Sequence, residues 1–176
     1  SNPGMAKQIL DRMRQLGVYD KHYFYQVDEP YTSASYQTFF QQANAMHGVD
    51  PNAQMMVPYW INPNWTSLTA GQVMTGYCDI WCPITDLWAR DSSLASFLNS
   101  RRAAGEKTWN YVATGPGYPY CNFTINYASL ELRMWLWQTY QYNTNGILYW
   151  CANFWGNVSD PWTNPNTVSD TGAYGG

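Results

Sequence analysis

Asp28 and Glu29 stand side by side, followed at once by Pro30, at the end of the aromatic run His22-Tyr23-Phe24-Tyr25-Gln26-Val27. Two adjacent carboxyl groups can divide an acid–base reaction. One orients and stabilises a group on the substrate, while the other protonates a leaving oxygen and later draws a proton from water. The run before them has the length and composition of a buried strand. Pro30 has no N–H to give to a ladder, so pairing should stop there, at the strand mouth where an α/β protein keeps its chemistry. A turn or helix-cap role for the pair is the plainer alternative.

The remaining carboxylates narrow the choice. Of 12 acidic residues, Asp11, Asp20, Asp50, Asp91 and Glu106 are read as solvated positions in helices or turns, and Glu131 as mid-helix. Only Asp28, Glu29 and Asp86 fall at strand ends. The segment after the fourth strand, Thr114-Gly115-Pro116-Gly117, has no acid, and Asn153 and Trp155 follow the fifth. A two-carboxylate retaining glycosidase holds its acids about 5–5.5 Å apart, commonly on different strands, and the usual partner is missing from those two positions.

Composition points the same way. The chain is 18% aromatic, with 10 Trp and 15 Tyr, against 12% charged residues, about half the usual charged share. Rings beyond the needs of a core can stack on the apolar faces of sugars, with Asn, Gln and Tyr supplying hydrogen bonds. Tyr59, Trp60, Trp81, Tyr111, Trp150 and Trp155 lie near strand C-termini and are candidates for such a floor, although each taken singly fits a core as well. Trp135, Trp137 and Tyr140 fall on a helix and read as packing.

Other functions are disfavoured. A net charge of −3 and only three lysines (Lys7, Lys21, Lys107) leave no basic patch for nucleic acid. No run of 18 apolar residues could span a membrane. Two histidines and no Cys-x-x-Cys spacing give no support to a metal site, and no glycine-rich loop follows a strand, so no cofactor is expected. Cys78, Cys82, Cys121 and Cys151 read as free, buried thiols. Sequons begin at Asn64, Asn122 and Asn157, and would permit glycosylation on a secretory route. The start Ser1-Asn2-Pro3-Gly4 resembles no signal peptide, so a signal for export would lie outside this sequence.

Positioning these residues requires regular alternation. Helical periodicity over residues 5–16 places Ile9, Leu10, Met13 and Leu16 on one face before Gly17. The Asp28 strand follows. Ser33 or Ser35 caps a helix through about His47, closed by Gly48. Strands are expected at 54–60, 77–83, 107–113 and 146–153. Between them lie a short helix near 69–75, a helix over 92–104, and a longer one over 127–142 with Leu130, Met134, Trp137 and Tyr140 at helical spacing. Residues 156–176 read as an irregular tail. Five strands alternating with helices predict a parallel α/β architecture with chemistry on the loops after the strands. A closed (β/α)₈ barrel typically needs about 250 residues, whereas an open doubly wound sheet is comfortable at 176; with no glycine-rich phosphate loop to favour a nucleotide-binding sheet, half a barrel stands as a serious alternative.

Tyr25-Gln26-Val27-Asp28-Glu29-Pro30, Trp109-Asn110-Tyr111 with Gly115-Pro116, Arg133 to Trp137, and Gly146-Ile147-Leu148-Tyr149-Trp150 with Asn153 and Trp155 occur in an order that resembles the C-terminal half of a glycoside hydrolase family 123-like catalytic domain. The resemblance spans nearly the whole chain. It implies the fourth to eighth strands of a TIM (β/α)₈ barrel, so that residues 1–176 form a single partial catalytic domain without the N-terminal barrel units. It also implies cleavage of terminal β-linked N-acetylhexosamine, most specifically N-acetylgalactosamine, by substrate-assisted retention. Under it Asp28 orients the acetamido group and Glu29 is the acid/base. Tyr59, Trp81, Tyr111, Trp150, Asn153 and Trp155 bind the sugar, and an extracellular or periplasmic location follows. Open sheet edges in such a half barrel would need covering, and self-association into a homo-oligomer is one way. Two alternatives stand beside this reading: a non-catalytic carbohydrate-binding domain, and a two-carboxylate retaining glycosidase using Asp86.

Overall fold

Five short strands, each parallel to the next, form one sheet in the order in which the chain runs: β1 (Phe24–Tyr25), β2 (Met55–Tyr59), β3 (Ile80–Pro83), β4 (Lys107–Val112) and β5 (Gly146–Tyr149). The computed structural model describes residues 3–60, 74–125, 127–152, 155 and 158–164. Helices α1 (Pro3–Gln15), α2 (Ser33–Val49), α3 (Leu87–Arg90), α4 (Leu94–Ala103) and α5 (Ser129–Gln141) alternate with the strands. The expected short helix near 69–75 falls largely outside the described residues.

The sheet curls into half a barrel. In a flat sheet β1 and β4, three places apart, would be separated by about 14 Å at the usual strand spacing. Here Tyr23, just before β1, packs edge-on to Trp109 of β4 with ring centroids 5.3 Å apart. Lys107 of β4 also donates to Gln54, which leads into β2, reaching past the intervening β3. Lys107, Trp109 and Tyr111 alternate along β4 and therefore line the hollow. Thr108, Asn110 and Val112 face the helices, where Arg102 donates to Thr108 at 2.7 Å and Asn110 approaches Thr139.

Why the central strands hold is plain from burial. Every residue of β2 and β3 is buried, as expected of parallel strands covered on one face by helices and folded inward on the other. The main core gathers Phe39 and Met46 of α2, Met55 and Val57 of β2, Trp81 of β3, and Leu94 and Leu98 of α4. A smaller cluster joins Val112 to Cys121 and Trp135 of α5. The edge strands β1 and β5 are only partly covered.

Three expectations are corrected here. Thr32, not Ser33 or Ser35, caps α2, with Ser35 completing the reciprocal capping box, and the helix runs through Gly48 to Val49. On α5 the expected apolar stripe points outward: Trp135 is fully buried, whereas Trp137 is 69% and Tyr140 89% exposed. On α1 the buried side is Ala6 and Leu10, leaving Ile9 and Leu16 in solvent. The cause is common to both outer helices. α1 lies against α2, and α5 packs through Trp135 against the β4–β5 side of the sheet, so on each one narrow stripe of contact suffices. None of the four cysteines forms a disulfide, and Cys78, Cys82 and Cys121 are buried. Among the described residues no helix is long and apolar enough to cross a membrane.

A close approach lies inside the hollow. A Cβ added to Gly146, the first residue of β5, would sit 2.7–2.9 Å from the Trp109 ring. Gly146→Ala should therefore cost about 1–3 kcal/mol by overpacking, with each kcal/mol lowering the melting temperature by about 2–4 °C. Thermal melts followed by circular dichroism check this, and an unchanged midpoint would show that the Trp109 ring is free to move aside.

Candidate active site

Pairing of β1 ends after Phe24–Met55 and Tyr25–Met56, so the chain leaves the sheet two residues before Asp28. Val27 still packs against the core, and Pro30 is buried. Glu29 is held between them in the left-handed region at φ 41°, a conformation uncommon for a residue with a Cβ. Such strain persists only where surrounding contacts impose it. Here those contacts are polar: the Tyr111 hydroxyl, at the end of β4, donates to Glu29 Oε1 across the hollow, and the Trp60 indole, just past β2, is a second donor.

Glu29 and Trp60 border a cavity of about 370 Å³ built from the ends of successive strands, a volume suited to a small ligand. Glu29 comes from beyond β1, Trp60 from beyond β2, Ile84, Asp86 and Arg90 from beyond β3, and Ala113, Thr114 and Gly115 from beyond β4. The β4 loop is pinned by Asn122, whose side-chain amide donates to the Ala113 and Pro116 carbonyls at 3.2 and 3.0 Å. Asn122 is fully buried, which removes it as a glycosylation site. Asn64 and Asn157 lie outside the described residues.

The two adjacent acids differ in setting. Asp28 is exposed and accepts a hydrogen bond from the Tyr25 hydroxyl. Glu29 is half-buried. Removal from water pushes its pKa above the usual glutamate range, the Tyr111 and Trp60 hydrogen bonds pull it back in part, and the Asp28 charge pushes it up again. A carboxyl group raised in this way can hold a proton to give away near neutral pH. Burial, with Glu29 beside it, pushes the Tyr111 hydroxyl well up, so that it remains a donor.

Among the sequence candidates, Glu29 borders this cavity, Tyr111 bonds to it, and Asp28 adjoins it. Tyr59 and Trp81 go elsewhere. Both are fully buried and meet edge-on, and Trp81 packs against Phe97 of α4 while its indole donates to Glu106. Trp150 and Trp155 follow β5 and are about two-fifths exposed. Asn153 lies outside the described residues. Asp50 and Glu106, read from sequence as solvated, are in fact bound: Asp50 is 5% exposed and accepts from Tyr19 and Arg14, and Glu106 accepts from Arg101. Sequence reading missed Arg90, although its position four residues after Asp86 is the helical spacing for an ion pair. It left the loop 113–115 without a role because that loop contributes shape and backbone. Among the described residues no three His, Cys, Asp or Glu side chains gather to hold a metal ion.

The chain matches the family model of the glycoside hydrolase 123 catalytic domain over residues 5–175. No curated protein sequence matches it.

The raised pKa of Glu29 has two measurable consequences. Its Tyr111 partner stabilises the ionised form, so Tyr111→Phe should move the Glu29 midpoint further up in a carboxyl-carbon NMR titration; a downward move would contradict the geometry. Because the folded-state pKa lies above the ordinary glutamate value of 4.5, the stability associated with Glu29 is complete below that value and declines as pH rises through the folded pKa. Glu29→Gln should accordingly raise the melting temperature at neutral and higher pH and leave it unchanged well below pH 4.5.

Proposed function

Because the chain belongs to the glycoside hydrolase 123 family and is a glycosidase acting on carbohydrate, we propose that it releases terminal β-linked N-acetylhexosamine, specifically N-acetylgalactosamine, with the substrate's own acetamido oxygen as nucleophile. The observation that carries this reading is the pairing of a half-buried Glu29 of raised pKa, on the cavity wall, with an adjacent and exposed Asp28.

In this mechanism Asp28 accepts the acetamido N–H and turns the carbonyl oxygen toward the anomeric carbon. As that oxygen attacks, Glu29 delivers its proton to the departing glycosidic oxygen. The bond to the aglycone breaks with its electron pair on the leaving group, and a bicyclic oxazoline-type intermediate is left. Glu29, now ionised, takes a proton from water, and the water oxygen reopens the ring with retention at the anomeric carbon. Tyr111 steadies the ionised state of Glu29 between the two steps through the hydrogen bond already in place. Trp60, Trp150 and Trp155 are candidates for the sugar-stacking surface, each about two-fifths exposed near a strand end.

A two-carboxylate mechanism has one observation in its favour, since Asp86 borders the same cavity as Glu29. Against it, one oxygen of Asp86 is engaged by the Arg90 guanidinium at 2.6 Å, which withdraws charge from a nucleophile.

On an aryl β-N-acetylgalactosaminide, Glu29→Gln should lower kcat by about 10²–10⁴-fold while leaving sugar binding intact. The alkaline limb of the wild-type pH profile, where the general acid loses its proton, should lie above the ordinary glutamate range and vanish in the variant. A thiazoline that mimics the cyclised acetamido group should inhibit. Unchanged hydrolysis in Glu29→Gln would overturn the assignment, and a covalent adduct with a 2-fluoro sugar would favour Asp86 as an enzyme nucleophile.

A further inference from the structure

Asp86 occupies the N-cap position of α3 and yet caps nothing: its side chain makes no bond to the first-turn N–H groups, the common use of an aspartate there. The carboxyl is turned instead toward Arg90, whose Nε donates to Oδ2 at 2.6 Å. The other oxygen, Oδ1, is buried and has no partner. An ionised carboxyl can only accept, and it offers about four lone-pair sites, so one whole oxygen of this group is left unused. Other buried polar atoms among the described residues also lack partners, but none belongs to a residue bordering the cavity that holds Glu29. Asp86 borders that cavity, and its side chain is largely buried, with 11% exposure. Buried acceptors without donors are rare in folded proteins, and each calls for an explanation such as a missing ligand.

We infer that Asp86 Oδ1 accepts a hydrogen bond from a hydroxyl group of the sugar bound in the cavity, and that Arg90 holds the carboxyl plane for it. This assignment rests on the glycosidase reading above and adds a hydroxyl-recognising group to the cavity that holds the acid/base. A sugar hydroxyl is the fitting donor, because an ammonium or guanidinium group of a ligand would meet the Arg90 charge. The arrangement is preorganised. Asp86 and Arg90 stand one helical turn apart, and Thr85, immediately before Asp86, is fastened to the Tyr111 carbonyl by both its backbone N–H and its hydroxyl, at 3.0 and 3.1 Å. The strand that carries Tyr111 to Glu29 thus also sets the position of Asp86.

The test pairs a protein change with a substrate change. Wild type, Asp86→Ala and the near-isosteric Asp86→Asn are compared on an aryl N-acetylgalactosaminide and on its 3-, 4- and 6-deoxy analogues. Asp86→Ala should lower kcat/KM by about 10–100-fold, the range for a hydrogen bond to a charged group. One deoxy analogue should cost wild type a similar factor and cost Asp86→Ala nothing more, while the Glu29-dependent alkaline limb stays where it is. Should Asp86→Ala lose its cooperative melting transition, Asp86→Asn, which spoils the carboxyl–guanidinium pair and keeps the shape, carries the same comparison. Losses that multiply independently on all three analogues, with hydrolysis still dependent on Glu29, would overturn this inference alone. Hydrolysis indifferent to Glu29, or no binding of substrate or thiazoline, would overturn the glycosidic reading of the cavity and this inference with it.

Discussion

The hydrogen bond from Tyr111 to Glu29 joins the end of β4 to the end of β1, across 82 residues of chain. Nothing in a flat sheet could make it, because the two strand ends would be about 14 Å apart. It exists because the sheet curls, and the curl is filled from within by Tyr23, Trp109 and Lys107. The close approach of the Trp109 ring to Gly146 belongs to the same constraint. Only a residue without a side chain lets β5 lie against β4 while the indole occupies the hollow. Curvature, inner packing and the acid's setting are therefore one problem solved together.

Acidic side chains sort by which end of the sheet they occupy. Asp50, Asp79 and Glu106 precede β2, β3 and β4, and each is a fastening: Asp50 accepts from Tyr19 and the Asn52 N–H, Asp79 from His47 and the Met55 N–H, and Glu106 from Arg101 and Trp81. Asp28, Glu29 and Asp86 follow strands and border or adjoin the cavity. That division is the one expected of parallel α/β folds, in which the ends of the strands carry chemistry and their beginnings carry stability.

The strands, and the place of the acid pair just beyond the first of them, were legible because their signals are local. An apolar aromatic run ending in Asp28-Glu29-Pro30 can be read without knowing the fold, and so can four further runs bounded by glycine and proline. What was not legible depends on partners distant in sequence. Glu106 looks solvated until Trp81 and Arg101 are seen beside it. Tyr59 and Trp81 look like site residues from their place near strand ends, yet alternation alone does not say which face is the hollow. On α5 the sequence offers Met134, Trp135, Trp137 and Tyr140 with little to choose between them. The structure buries Trp135 because Val112 and Phe123 enclose it.

Two acidic groups held in uncomfortable settings share one cavity. Glu29 keeps a left-handed backbone just before a proline and a carboxyl half withdrawn from water; Asp86 forgoes capping its helix and leaves an oxygen without a donor. Each departs from what local stability alone would select, and the fastenings at the other end of the sheet are sound by comparison. Departures of this kind gathered around one cavity are what is expected where a binding site rather than local stability has chosen the residues. The same reasoning explains why the two carboxyl groups do not compete for one role. Glu29 faces hydroxyl and indole donors that leave it free to exchange a proton, whereas Asp86 faces a guanidinium that fixes it as an acceptor. Their different neighbours thus suit two acids in one cavity to the separate work proposed for them, one on the bond to be broken and one on the sugar to be held.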